Sequence, residues 1–98
     1  MRHRFEWDEV KAGRNARKHG VSFEEAKSVF LDLFAIESFD VVHSTDEDRF
    51  IIIGSSDRDR ILVVAFALPE EETIRLISAR QAHNREKQDY EKSDPGSR

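Results

Sequence analysis

Between Arg49 and Arg80 the chain holds three strand-like runs: Arg49 to Gly54, Arg60 to Leu68 and Thr73 to Arg80. They are separated only by Ser55-Ser56-Asp57-Arg58-Asp59 and Pro69-Glu70-Glu71-Glu72. Links this short cannot carry the crossover that a parallel connection needs, so successive runs must reverse and pair as an antiparallel meander. Ile61 to Leu68 is apolar on both alternations and is expected at the sheet centre, with both faces at least partly covered. Thr73 to Arg80 instead alternates Ile74 and Leu76 with Arg75, so one of its faces is expected toward solvent or a ligand. Phe34 to Phe39, ahead of a polar loop from Asp40 to Asp48, adds a strand, and Phe5 with Trp7 suggests a short first one.

The helices are written at their ends. Asp8 suits the N-cap of a helix that runs about twelve residues to His19, and Gly20 suits the left-handed position just past it. Its apolar face is thin (Val10, Ala12, Ala16), whereas Lys11, Arg14, Arg17 and Lys18 make one side basic. Ser22 with Glu25 three residues on reads as a capping box, and Val21 with Ala26 as a hydrophobic staple. The helix that follows, Phe23 to about Leu31, spaces Phe23, Ala26, Val29 and Phe30 for packing on a sheet. A last helix, about Ala82 to Lys92, has almost no apolar face, so it lies lightly on the domain or belongs to a binding surface.

Ninety-eight residues suffice for one domain, expected over 1–92, with 93–98 as a disordered tail containing Pro95, Gly96 and serines. There is no cysteine, hence no disulfide framework or thiolate metal site, and no apolar run long enough to span a membrane. A cytoplasmic location is the expectation. The net charge of −4 hides a segregation: residues 1–19 carry six Lys/Arg against three Asp/Glu, residues 75–92 five against three, and residues 20–74 four against thirteen. A basic surface assembled from the two ends of the sequence therefore fits an acidic protein, and a nucleic-acid partner is not excluded.

Several pieces recur in one order: Phe5-Glu6-Trp7-Asp8, Lys11-Ala12, Asn15, Lys18-His19-Gly20-Val21-Ser22-Phe23-Glu24-Glu25-Ala26, Arg49-Phe50, Ile53-Gly54, Arg60, Leu62-Val63-Val64, Ile77-Ser78-Ala79-Arg80, Arg85-Glu86 and Tyr90. Together they resemble the BrnT family. That resemblance implies an α+β, RelE-like fold, with two N-terminal helices packed on an antiparallel meander and a C-terminal helix. It implies the ribonuclease toxin of a type II toxin–antitoxin pair, which inhibits translation by cleaving RNA. The implied partner is a BrnA-type antitoxin with a ribbon-helix-helix region, operator DNA being reached only through the complex, with no membrane involved. The chain departs from the family pattern at Asp59, where a glycine commonly precedes Arg60, at Ala67-Leu68, and at His83, where a threonine often caps the last helix.

RNA supplies its own nucleophile, the 2′-hydroxyl, so a protein needs only a proton acceptor, a proton donor and fixed cations to make a 2′,3′-cyclic phosphate. His19 is the candidate proton carrier and Lys18 a point charge for phosphate. Arg60 and Arg80 offer forked donors and, in an up-and-down meander, fall at the same end of the sheet, which makes them the expected phosphate clamp. Tyr90 is a candidate proton donor or stacking group, and Arg49, Arg85 and Arg17 are candidate substrate contacts. Each arginine has a structural alternative, an ion pair with one of the many carboxylates. Trp7 is expected in the core. His3, His19, His43 and His83 lack paired ligand spacing, so no metal and no cofactor is expected. The competing reading is an interaction module that has lost cleavage and acts through its partner complex.

Overall fold

The computed structural model describes residues 4–93; the expected tail lies outside the described residues except for Ser93, which is helical. Nine elements follow one another: β1 (Arg4–Glu6), α1 (Glu9–His19), α2 (Phe23–Ser28), a 3-10 turn (Val29–Leu31), β2 (Ile36–Phe39), β3 (Arg49–Ser55), β4 (Ile61–Ala67), β5 (Thr73–Gln81) and α3 (Asn84–Ser93). The sheet order is β1-β5-β4-β3-β2. From β2 to β5 each strand pairs antiparallel with the next, as the short links require.

The all-antiparallel expectation needs correction at β1. This strand runs parallel to β5, with Arg4 opposite Thr73 and Glu6 opposite Arg75, and the sheet is therefore mixed. The Arg4 amide donates to the Glu72 carbonyl at 2.7 Å, which pins the strand at the end of the preceding turn. Three residues carry no periodicity that would reveal a partner almost seventy positions away.

α1 and α2 cover one face of the sheet, and residues from both meet the strands in a single core. Val21, Ala26, Val29, Leu62, Val64 and Ala79 are completely buried there. Phe39, Phe50, Phe66, Phe30 and Phe5 form a continuous line of ring contacts across that face, with centroids 5.1–5.7 Å apart. Trp7 packs edge-on against Phe23 elsewhere in the same core. Gly54 is required where the helical layer comes closest: a Cβ there would lie 2.9 Å from Val29 and 3.0 Å from Ala35. On β5 the register shifts by one residue, since Ala65 faces Ser78 but Phe66 faces Leu76. Ile77 is the extra residue of a bulge, which restores Leu76 to the core face.

Candidate functional site

α1 is set by its caps. The Asp8 carboxylate accepts from the Val10 and Lys11 amides at 2.8 and 3.1 Å, and Gly20 ends the helix at φ 69°, its amide donating to Ala16. The buried Asn15 side chain holds the helix on the sheet. Its Nδ2 donates to the Val21 and Ala79 carbonyls at 3.0 and 2.8 Å, and its Oδ1 accepts from the Ala79 amide at 3.0 Å. Ala12, Asn15 and His19 share the sheet-facing stripe by their three- and four-residue spacing, which explains why His19 is half-buried at the helix end. Lys11, Arg14, Arg17 and Lys18 lie exposed on the neighbouring arc. None of these four cations, nor the His19 ring, has an ion-pair or hydrogen-bond partner among the described residues.

Arg60 is engaged differently. Glu25 carries a side chain only 3% exposed and takes both arms of the Arg60 guanidinium: Nε donates to Oε2 at 2.9 Å, and Nη2 donates to Oε1. Ser56 Oγ donates to the same Oε2 at 2.7 Å, and Arg60 Nη2 also donates to the Gly20 carbonyl at 3.1 Å. The bond from Arg60 holds the Glu25 carboxyl below the usual carboxylate range, against burial and with help from Ser56. The capping box at Ser22 is consequently half made. Ser22 Oγ accepts from the Glu25 amide at 3.0 Å, but the Glu25 carboxylate is turned away toward Arg60.

Arg80 is also paired. Its Nη1 and Nη2 donate to the two Glu86 oxygens, each at 2.8 Å, and Glu86 Oε1 accepts from the His83 amide at 2.8 Å. Glu86 thereby closes the first turn of α3 in the manner of a capping-box glutamate. Its pKa is lowered to about 2, chiefly by the Arg80 bonds, with burial opposing and the His83 amide assisting. Arg60 and Arg80 do lie at the same end of the sheet, but on opposite faces. Arg80 faces Val63, and paired residues share a face; Arg60, three positions before Val63, points to the helix side. The expected two-arginine clamp is therefore not brought together.

The other candidates are dispersed. The Tyr90 hydroxyl donates to Asp32 Oδ2 at 2.7 Å, and the residue is 7% exposed, so it anchors α3 to the segment before β2. The same Asp32 oxygen accepts from the Ser55 amide at 2.7 Å. Burial raises the Asp32 pKa, but the bonds from Ser55, Tyr90 and Phe34 outweigh it and hold the carboxyl below its ordinary value. Arg49 opens β3 opposite Ala67, at the far end from Arg60, and Arg85 is exposed on α3; neither has a carboxylate partner among the described residues.

Four residues that shape the site escaped sequence reasoning about chemistry: Asn15, Glu25, Asp32 and Glu86. The signal for Glu86 was available in its three-residue spacing from His83. Nothing local in the sequence links Glu25 to Arg60.

The profile of the ribonuclease toxin BrnT of type II toxin–antitoxin systems matches residues 7–86. The chain is also similar to the crystal structure of the Brucella abortus ribonuclease toxin BrnT, with a TM-score of 0.64 and 29% identity over 84% of this chain and 99% of that one. No curated protein gives a significant sequence match. No helix among the described residues is long and apolar enough to cross a membrane. With the family profile spanning most of the sequence, and the fold shared with a solved member, the chain belongs to the BrnT family of type II toxin–antitoxin ribonuclease toxins.

Proposed function

We propose that the protein is a metal-independent endoribonuclease whose RNA backbone runs along the exposed cations of α1 toward His19. The observation that carries this reading is the contrast in pairing. Lys11, Arg14, Arg17 and Lys18 are exposed and unpaired among the described residues, whereas Arg60 and Arg80 are each neutralised by a glutamate. A cation without a carboxylate partner gives up nothing within the protein when it binds a phosphate. His19 lies at the end of α1 beside this arc, and its ring nitrogens have no hydrogen-bond partner among the described residues, which leaves them available to carry a proton.

In this mechanism the 2′-oxygen forms a bond to phosphorus as His19 removes its proton, and the bond from phosphorus to the 5′-oxygen breaks as that oxygen takes a proton from solvent water. The products are a 2′,3′-cyclic phosphate and a 5′-hydroxyl. Lys18 balances the charge that builds on the non-bridging oxygens. Arg60 acts as a positioning residue, through its bond to the Gly20 carbonyl beside His19. Tyr90 and Arg80 keep structural roles, and Arg49 and Arg85 remain outlying phosphate contacts. The physiological reading is inhibition of translation, neutralisation by a BrnA-type ribbon-helix-helix antitoxin, and operator binding through that complex. The two-helix layer on one sheet face supports a RelE-like description of the fold.

A second reading is favoured by the same ion pairs. If Arg60 and Arg80 are needed as free cations, their neutralisation leaves a binding module that acts only through an antitoxin. Labelled RNA incubated with the isolated protein in excess chelator separates the two. New ends bearing a 2′,3′-cyclic phosphate are expected; no cleavage by folded protein, with or without ribosomes, supports the module instead.

A further inference from the structure

The acidic middle of the chain builds a surface that the RNA reading leaves unused. β2 is an edge strand, paired on one side only. The Asp40 amide donates to the Arg49 carbonyl at 2.8 Å, and the alternation of an antiparallel ladder then turns the Ser38 and Ile36 backbone toward β3. The N–H and C=O groups of Glu37 and Phe39 consequently face outward along the free edge. Their side chains lie on the helix-bearing face, opposite Ile52 and Phe50.

Beside that edge lies a cavity of about 300 Å³, lined by Phe30, Ala35, Ile52, Phe66, Leu68 and Ile74, with Asp32 and Glu37 as its acids. Leu31 and Leu33, just before β2, are 83% and 93% exposed, and Leu68 is 51% exposed. Of these, Leu68 lines the groove itself, and Phe39 on the edge strand is 48% exposed; exposed apolar side chains beside a groove are characteristic of interaction surfaces. The Glu37 carboxylate has no partner among the described residues.

We infer that the outer edge of β2 and the adjoining groove bind an extended segment of the antitoxin, which pairs as a sixth strand and carries on its helix-side face an apolar side chain beside Phe39 and, two residues along, a basic one beside Glu37. This rests on the toxin–antitoxin reading above and adds where and how the partner docks. Edge pairing satisfies the outward backbone groups of Glu37 and Phe39. The apolar side chain of the added strand extends the phenylalanine line beyond Phe39, and a Lys or Arg meets Glu37. Residues 20–74 carry nine more acidic than basic side chains, so a basic partner segment is also favoured at long range.

Two variants test this without touching α1. Glu37→Pro removes an outward N–H and places a ring on the edge while leaving the ladder to β3 intact. Glu37→Lys keeps the backbone and reverses the charge. Each is measured against a BrnA-type antitoxin from the same genome by titration calorimetry, with RNA cleavage and thermal midpoint of the free toxin recorded alongside. The expected result is at least a tenfold loss of affinity for both variants, with cleavage and midpoint unchanged. If both variants bind like the unaltered protein, the docking site is overturned. Failure of the unaltered protein to bind that antitoxin instead contradicts the toxin–antitoxin pairing itself.

Discussion

The Glu25 carboxylate lies under the α1–α2 junction and holds both arms of the Arg60 guanidinium, while Arg60 in turn donates to the Gly20 carbonyl. One ion pair thus ties the start of β4 to α2 and to the residue next to His19. Removing the arginine leaves a carboxylate that is only 3% exposed with the Ser56 hydroxyl and, at 4.0 Å, the Arg58 guanidinium as its remaining partners. Arg60→Ala is predicted to cost roughly 2–3 kcal/mol of stability, below the range for one side of a fully buried pair because the arginine is 24% exposed and the carboxylate keeps Ser56 and Arg58. Denaturant unfolding checks this, and a midpoint equal to that of the unaltered protein contradicts it. Loss of activity in Arg60→Ala is accordingly not evidence that the arginine touches RNA.

The Arg80–Glu86 pair makes stability depend on pH. Glu86 titrates at about 2 in the folded protein against an ordinary value of 4.5. A depressed carboxyl stabilises the fold above its unfolded pKa, and that contribution disappears as pH falls from about 4.5 toward about 2. Glu25 shifts in the same direction and adds to the trend. Glu86→Gln is predicted to be less stable at neutral pH but to lose less stability on acidification through that window. Parallel pH profiles of the thermal midpoint for the two proteins would sink the assignment.

Asp59 stands at φ 58° in the turn between β3 and β4, a left-handed position that suits glycine better. Its amide donates to the Ser56 carbonyl at 3.0 Å, a bond a glycine retains. Asp59→Gly is predicted to stabilise the protein modestly, by up to about 1 kcal/mol, with relief of backbone strain exceeding the added unfolded-state entropy. A lowered midpoint would show that the aspartate side chain supports the turn.

Much of this architecture was legible because it is encoded locally. The caps at Asp8, Gly20 and Ser22, the reversals at residues 55–60 and 68–73, and the shared end of Arg60 and Arg80 follow from residues close in sequence. β1 was not legible as a parallel strand, because its partner is set by tertiary packing rather than by pattern. The face of each arginine was recoverable from strand alternation once the register with Val63 was known, and register is what short apolar runs leave open. Glu25 misled because one glutamate satisfied a local motif while its carboxylate served a partner thirty-five positions away. That the α1 cations have no partner among the described residues could not be read at all without knowing where the carboxylates of the other elements fall.

The central claim is that RNA is held by α1 and processed at His19. The most direct measurement is single-turnover cleavage of a labelled RNA in excess chelator, by the unaltered protein, by His19→Ala and by a Lys11→Gln, Arg14→Gln, Lys18→Gln triple variant, across a range of salt concentrations. His19→Ala is predicted to keep its thermal midpoint and lose cleavage by at least a hundredfold, consistent with removal of a proton carrier. The triple variant is predicted to bind more weakly, with a salt dependence shallower by about 0.7 log units per lost phosphate contact. Full cleavage by His19→Ala, together with an unchanged salt slope in the triple variant, would contradict the account.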